Sequence, residues 1–206
     1  SLSIRWALIA SQSSLKSKSF NLLRSEDVTN TLDCLKKLGV KVKFSKNYCE
    51  IIGLGLNGFK TKKNLILNAG NSGTLGRLIL GLLIHSKNYI KIKGDKSLSK
   101  RDFLRITKPL EKFGAKFKTK QGKLPVQIKG TNKPKPIFYN ETRGSAQCKS
   151  AVMLAAMRAN GTTYIKAKKS RNHTEKIMKN LNLPIKVIKK KNHDLILIKK
   201  VKKLKL

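Results

Sequence analysis

The order of apolar runs and turn residues predicts an α/β (α+β) chain made of three copies of a βαβαββ unit, each of roughly 70 residues. Three observations carry that prediction. Helical patterns recur at 3–10, 72–84 and 145–157, and aligning Leu8, Leu80 and Leu154 gives offsets of 72 and 74 residues. Each is followed by a short strand and a second helix. That second helix stops at Gly39, Gly114 or Asn182, residues suited to the left-handed position just past a helix end, and a hairpin begins directly after.

In the first copy the strand falls at 20–23 and the second helix at 27–35, with Asp27 read as its N-cap. The hairpin arms follow at 40–44 and 48–52, turning near Asn47. The second copy has its strand at 89–92, a helix at 102–112 and arms at 115–119 and 126–129 around Gln121-Gly122. The third has 164–166, 173–181 and arms at 185–188 and 195–199 around Asn192-His193. Linking strands at 64–68 and 136–139 open the second and third copies; the first lacks its opening strand. The copies divide near 1–62, 63–134 and 135–206, and a period this long favours one closed domain over an open array. The chain opens at Ser1 inside a helical pattern, and so reads as starting within a longer protein.

Composition narrows the function. The formal charge of +37 suggests a nucleic-acid partner. The lysines, however, are spread evenly, with no basic stretch interleaved with base-stacking aromatics. Solvated faces explain them better, and nucleic acid is not the expected partner. Only eight of the 47 basic residues are arginine, so each arginine suggests a need for planar, bidentate geometry. No apolar run approaches the ~20 residues of a membrane span, and no membrane partner is expected. Cys34, Cys49 and Cys148 show no metal spacing and fit a reducing, cytoplasmic setting. His85, His173 and His193 show none either, so no metal or cofactor is expected.

The most chemical stretch is Gly70-Asn71-Ser72-Gly73-Thr74-Leu75-Gly76-Arg77, between a β-like run and an apolar helix. Its glycines let backbone approach a ligand, and the first helical turn offers free N–H groups to an anion. Arg77 stands one turn further in, where its guanidinium fork can face carboxylate or phosphate. The same residues also read as a capped core helix after a loop, with Ser72 or Thr74 as the cap.

Five segments carry a resemblance. Ser1-Leu2-Ser3-Ile4-Arg5 resembles the end of K-S-x-S-x-R, and Asn71–Arg77 resembles N-A-G-T-x-x-R. Gly94-Asp95-Lys96-Ser97-Leu98-Ser99-Lys100-Arg101 resembles G-D-x-S-L-x-x-R. Ser145-Ala146-Gln147-Cys148-Lys149-Ser150-Ala151 resembles S-A-Q-x-K-S-A, and Ser170-Arg171-Asn172-His173-Thr174-Glu175 resembles S-R-D-H-T-E. In this order they are motifs of the enolpyruvyl transferases, and the chain is similar to the N-terminal half of the branch acting on shikimate 3-phosphate. The resemblance implies one domain of an inside-out α/β barrel fold, with a second domain missing and this half inactive alone. It implies transfer of the enolpyruvyl group from phosphoenolpyruvate to the 5-hydroxyl of shikimate 3-phosphate, in the shikimate pathway of aromatic amino acid biosynthesis.

By resemblance, Ser1, Arg5, Ser145, Ala146 (through its backbone), Gln147 and Arg171 hold shikimate 3-phosphate. Gly73 and Arg101 face phosphoenolpyruvate, with Gln147 near both. Two anionic substrates call for cations and N–H donors rather than a nucleophile. Arg101 is expected at a helix start, where a cation opposes the macrodipole unless an anionic ligand is present. The family lysine that would precede Ser1 is absent. Its proton-transfer acids lie mainly in the second domain, so no catalytic residue is assigned; Asp27 is a cleft-side candidate better explained as a cap. Two alternatives remain at this point. UDP-N-acetylglucosamine enolpyruvyl transferase uses a reactive cysteine on a mobile loop, whereas the cysteines here fall in expected helices and a strand. A basic nucleic-acid-binding repeat domain is the other.

Overall fold

The computed structural model describes residues 2–204. The first unit runs α1 (Leu2–Ala10), β1 (Lys16–Phe20), α2 (Glu26–Lys37), β2 (Lys41–Phe44) and β3 (Tyr48–Ile52). The second comprises β4 (Ile66–Asn68), α3 (Gly73–Leu82), β5 (Ile90–Lys93), the short α4 (Lys96–Ser99), α5 (Leu104–Glu111), β6 (Lys116–Lys120) and β7 (Lys123–Lys129). The third comprises β8 (Phe138–Glu141), α6 (Ala146–Ala156), β9 (Thr162–Lys168), α7 (His173–Asn180), β10 (Ile185–Lys189) and β11 (His193–Lys199).

A helix that is apolar on every side has to be covered on every side. All ten residues of α3 are buried, as are nine of the eleven in α6 and most of α1. These three helices are the centre of the molecule. Helices α3 and α6 meet so closely that a Cβ on Gly81 would lie 2.2 Å from the carbonyl oxygen of Ala151. Any side chain there would push the pair apart.

Three sheets surround these helices, in the orders β1-β3-β2, β4-β5-β7-β6 and β8-β9-β11-β10. In the two four-stranded sheets a parallel pair, β4/β5 or β8/β9, continues into an antiparallel hairpin. The first sheet has only three strands among the described residues, with β1 paired to β3 alone. The sheets stay separate, with no closed barrel among the described residues. The helix stops fall where expected. Gly39, Gly114 and Asn182 have φ of 90°, 105° and 51°. Past α2, Val40 N–H donates to Leu35 and Gly39 N–H to Lys36, the paired bonds that close a helix end.

Three local expectations need correction. The first-copy strand is not at 20–23 but at Lys16–Phe20, ending at Asn21 with φ 53°. Its inward residue is Ser17, 5% exposed, so Lys-Ser-Lys-Ser-Phe shows no apolar alternation to read. Asp27 does not cap α2: the Ser25 hydroxyl accepts from Val28 N–H, and Asp27 lies in the first turn. Arg101 is not at a helix start. It follows the end of α4 and precedes Phe103, the N-cap residue of α5, so the dipole conflict does not arise.

Candidate active site

The site forms where the N-terminal ends of α3 and α6 come together. Gly70 takes φ 55°, and a Cβ there would lie 2.2 Å from Nδ2 of Asn30, so this turn requires glycine on both counts. Ser72 then caps α3, its hydroxyl accepting from Leu75 N–H at 3.3 Å. Ser145 caps α6 in the same way, accepting from Cys148 N–H at 3.3 Å. Both helix ends point partial positive charge in one direction.

Side chains tie these ends together. Arg77 is 6% exposed and donates through Nη1 to Gln147 Oε1 at 2.7 Å, while Gln147 Nε2 donates to Thr74 Oγ1 at 3.1 Å. The same guanidinium sits 5.2 Å from the Phe103 ring centre. Arg77 is therefore inside the wall, orienting Gln147, rather than presenting a free fork to the opening. Burial lowers its pKa, and the charges of Arg105 and Arg101 add to that, with Cys148 and Asp102 opposing.

Gly73 is where two guanidinium ends converge. A Cβ on it would lie 2.7 Å from Nη1 of Arg77 and 3.1 Å from Nη1 of Arg101. Its φ is not left-handed, so the close approach of these side chains rather than backbone freedom distinguishes the position. Arg101 is exposed and held by Asn71, Nη2 donating to Oδ1 at 3.2 Å.

On the other side of Gln147 lies a cavity of about 380 Å³ lined by Arg5, Thr74, Ser145, Ala146, Gln147 and Arg171, with Gly144 and Ser170 at its margin. None of these is an acid. Arg5, 4% exposed, donates through Nε to Thr174 Oγ1 at 2.9 Å and through Nη2 to Ser150 Oγ at 3.3 Å. Burial lowers its pKa; Glu175 works against this and Arg171 with it. Arg171 is exposed at the opening. Beneath the floor, Lys149 Nζ and Glu175 Oε1 form a buried ion pair at 2.6 Å that joins α6 to α7. The backbone N–H of Ala146 belongs to the first turn of α6, so it has no partner within that helix.

Five of the six residues expected around shikimate 3-phosphate thus line one cavity, and Gly73 and Arg101 adjoin it across the Arg77–Gln147 link. Ser1 lies outside the described residues. Thr74, Ser150, Thr174 and the Lys149–Glu175 pair carry no separate signal in the sequence. They lie within the quoted motifs, but their roles depend on partners up to 169 residues away. His173 is partly buried, and burial together with the charges of Arg5, Arg171 and Lys176 lowers its pKa. Cys34, Cys49 and Cys148 are buried free thiols, and burial pushes the first two up to about 11, away from thiolate chemistry. Among the described residues no cluster of His, Cys, Asp and Glu could hold a metal ion, and no helix is long and apolar enough to cross a membrane.

Two helix N-termini beside a cavity lined by Arg5 and Arg171, with no acid among its lining residues, form an anion-binding arrangement. The family model for EPSP synthase (3-phosphoshikimate 1-carboxyvinyltransferase) matches residues 1–205. The 3-phosphoshikimate 1-carboxyvinyltransferase of Ruthia magnifica subsp. Calyptogena magnifica is 40% identical over 192 residues, which is 93% of this chain and 44% of that protein. Its counterpart from Streptococcus mutans serotype c is 39% identical over 182 residues, 87% of this chain and 42% of that one. EPSP synthase from Acinetobacter baumannii superposes with a TM-score of 0.90 at 33% identity, covering 99% of this chain and 46% of that structure. The chain belongs to the EPSP synthase family. It spans less than half the length of the relatives it matches.

Proposed function

We propose that this chain supplies one domain of a two-domain enzyme that transfers the enolpyruvyl group of phosphoenolpyruvate to the 5-hydroxyl of shikimate 3-phosphate, releasing phosphate, in the cytoplasm. The single domain comprises all three units. The observation that supports this most is the acid-free cavity lined by Arg5, Ser145, Ala146, Gln147 and Arg171, with Gly73 and Arg101 beside it. Arg171 at the opening pairs with the phosphate of shikimate 3-phosphate, and the Ser145 hydroxyl and Ala146 N–H add donors at a helix N-terminus. Arg5, held by Ser150 and Thr174, supplies a fixed cation behind them.

Arg101 takes the carboxylate or phosphate of phosphoenolpyruvate, whose closest approach to backbone is at Gly73. Gln147, fixed by Arg77 and Thr74, stands between the two substrates. This wall stabilises negative charge as it shifts toward the departing phosphate. The proton-transfer groups belong to the other domain, so this chain binds without turning over. Calorimetry on the 206-residue chain tests the assignment: shikimate 3-phosphate binds weakly, Arg171→Gln abolishes the heat, and no enolpyruvyl transfer occurs. Absence of shikimate 3-phosphate binding removes the substrate assignment, and measurable transfer places the proton-transfer groups within this chain.

A further inference from the structure

A cavity of about 570 Å³ lies away from the proposed active site. It lies at the opposite ends of α3 and α6, about 15 Å away along helices of ten or eleven residues. Every unit contributes: Leu56 and Asn57 after the first hairpin, Asn132 and Pro134 after the second, Lys200 and Lys202 after the third. His85 and Arg158, from the ends of the central helices, complete it.

Arg158 is the decisive group. It is 5% exposed, its Nε has no partner among the described residues, and the bond its Nη1 donates to Gln12 Oε1 is a long one, 3.4 Å. Burial holds its pKa down, to about 10, and no carboxylate offsets that effect. A buried guanidinium without a counter-ion is costly. His85, which also lines the cavity, holds a second buried polar atom without a partner among the described residues, Nε2. Lys87, Lys200 and Lys202 add three more cations at the rim, and no acid lines the cavity. Helix C-termini nearby, each worth about half a negative charge, favour cations at this end. They offset less than half of four positive charges.

We propose that this cavity is a second anion-binding site, distinct from the active site, for a small dianion of the phosphate class. Arg158 is its buried anchor, and Lys87 and Lys200 close over the ligand from the rim. The volume exceeds that of a bare phosphate group, which leaves room for a small organic portion between Leu56, Pro134 and Met157.

Residue-resolved amide shifts on the 206-residue chain test this with orthophosphate at constant ionic strength. Saturable shifts are expected at Asn57, Ser86, Asn132 and Asn160, as a set separate from those at Gly73 and Ser145. Arg158→Met should weaken the cavity response roughly ten- to hundredfold, the cost of losing a charged hydrogen bond, while the Gly73 and Ser145 shifts persist. Should Arg158→Met fail to fold, Lys87→Gln combined with Lys200→Gln leaves the core intact and should weaken cavity binding severalfold. Glycerol 3-phosphate binding more tightly than orthophosphate assigns an organic phosphate, and equal affinity assigns the phosphate group alone; either supports the site. Cavity shifts that rise linearly and match those caused by sodium chloride overturn it. So does an affinity unchanged by whichever of these variants folds. The result is independent of shikimate 3-phosphate binding, so the two readings stand or fall separately.

Discussion

Two guanidinium ends close on the bare Cα of Gly73, which makes this residue the most sensitive point of the site. Alanine there is compatible with the backbone and favours helix, so Gly73→Ala should leave Tm within a degree or two. Its methyl group should instead displace Arg77 and Arg101 and crowd phosphoenolpyruvate. In a two-domain enzyme completed with the rest of a relative, KM for phosphoenolpyruvate rises by more than shikimate 3-phosphate affinity falls; equal losses of both, tracking Tm, would contradict this. Arg101→Lys in the same enzyme should cost about 1.5–3 kcal/mol of phosphoenolpyruvate affinity, because an ammonium lacks the fork. His85 makes a different prediction. Burial, Arg158 and Lys200 lower its pKa from 6.5 to about 4. Between those values the unfolded chain binds a proton that the folded chain refuses, so stability falls as pH drops through that window and levels off below it. Urea midpoints at pH 7, 5 and 4 should show this slope, and His85→Gln should remove it. The site residues themselves were legible as motifs. The Arg77–Gln147–Thr74 chain was not, because it joins positions 70 and 73 residues apart and nothing local encodes the pairing.

Between elements, the join that matters most is the buried Lys149–Glu175 pair, since it fixes α7 and its Arg171-bearing turn against α6. Removing one member strands the other in a dry interior. Lys149→Met should therefore cost about 3–5 kcal/mol in urea denaturation. Adding Glu175→Gln should restore part of that loss, because the stranded carboxylate is then neutral. If the single variant is as stable as the parent, the ion pair does not hold α7, and the Thr174 hydrogen bonds and apolar contacts do. Helices and hairpins with a glycine or asparagine stop were readable in sequence, since φ near 90° or 50° selects those residues. β1 was not, because its single inward side chain is a serine. The second arm of the β6–β7 hairpin begins at Lys123, three residues before Val126, because pairing resumes at Lys120–Lys123 across a register shift that leaves Leu124 and Pro125 without partners on β6. The four-residue α4 carries too little pattern to announce itself, although the Asp95 carboxylate caps it at 2.7 Å.

Across the whole molecule, a formal charge of +37 is set against only five ion pairs among the described residues, four of them at the surface. Such a chain repels itself. Raising sodium chloride from about 10 mM to about 150 mM shortens the screening length from roughly 30 Å to 8 Å. Tm should rise over that range in thermal scans, whereas a flat response would mean that the charges are already neutralised locally. The lysines also guard the margins of the sheets. An outermost strand offers unpaired N–H and C=O groups to any strand that drifts past. Of the six outermost strands, β1, β2, β6 and β10 carry exposed lysines: Lys16 and Lys18, Lys41 and Lys43, Lys116, Lys118 and Lys120, Lys186 and Lys189. Another chain laid along any of these would bring its own ammonium groups against them. The two without lysine, β4 and β8, have three and four residues and leave Ile66 and Phe138 open to solvent. In a crowded refolding mixture, strand-to-strand association therefore starts at those two margins, on the sides of the second and third sheets away from their hairpins.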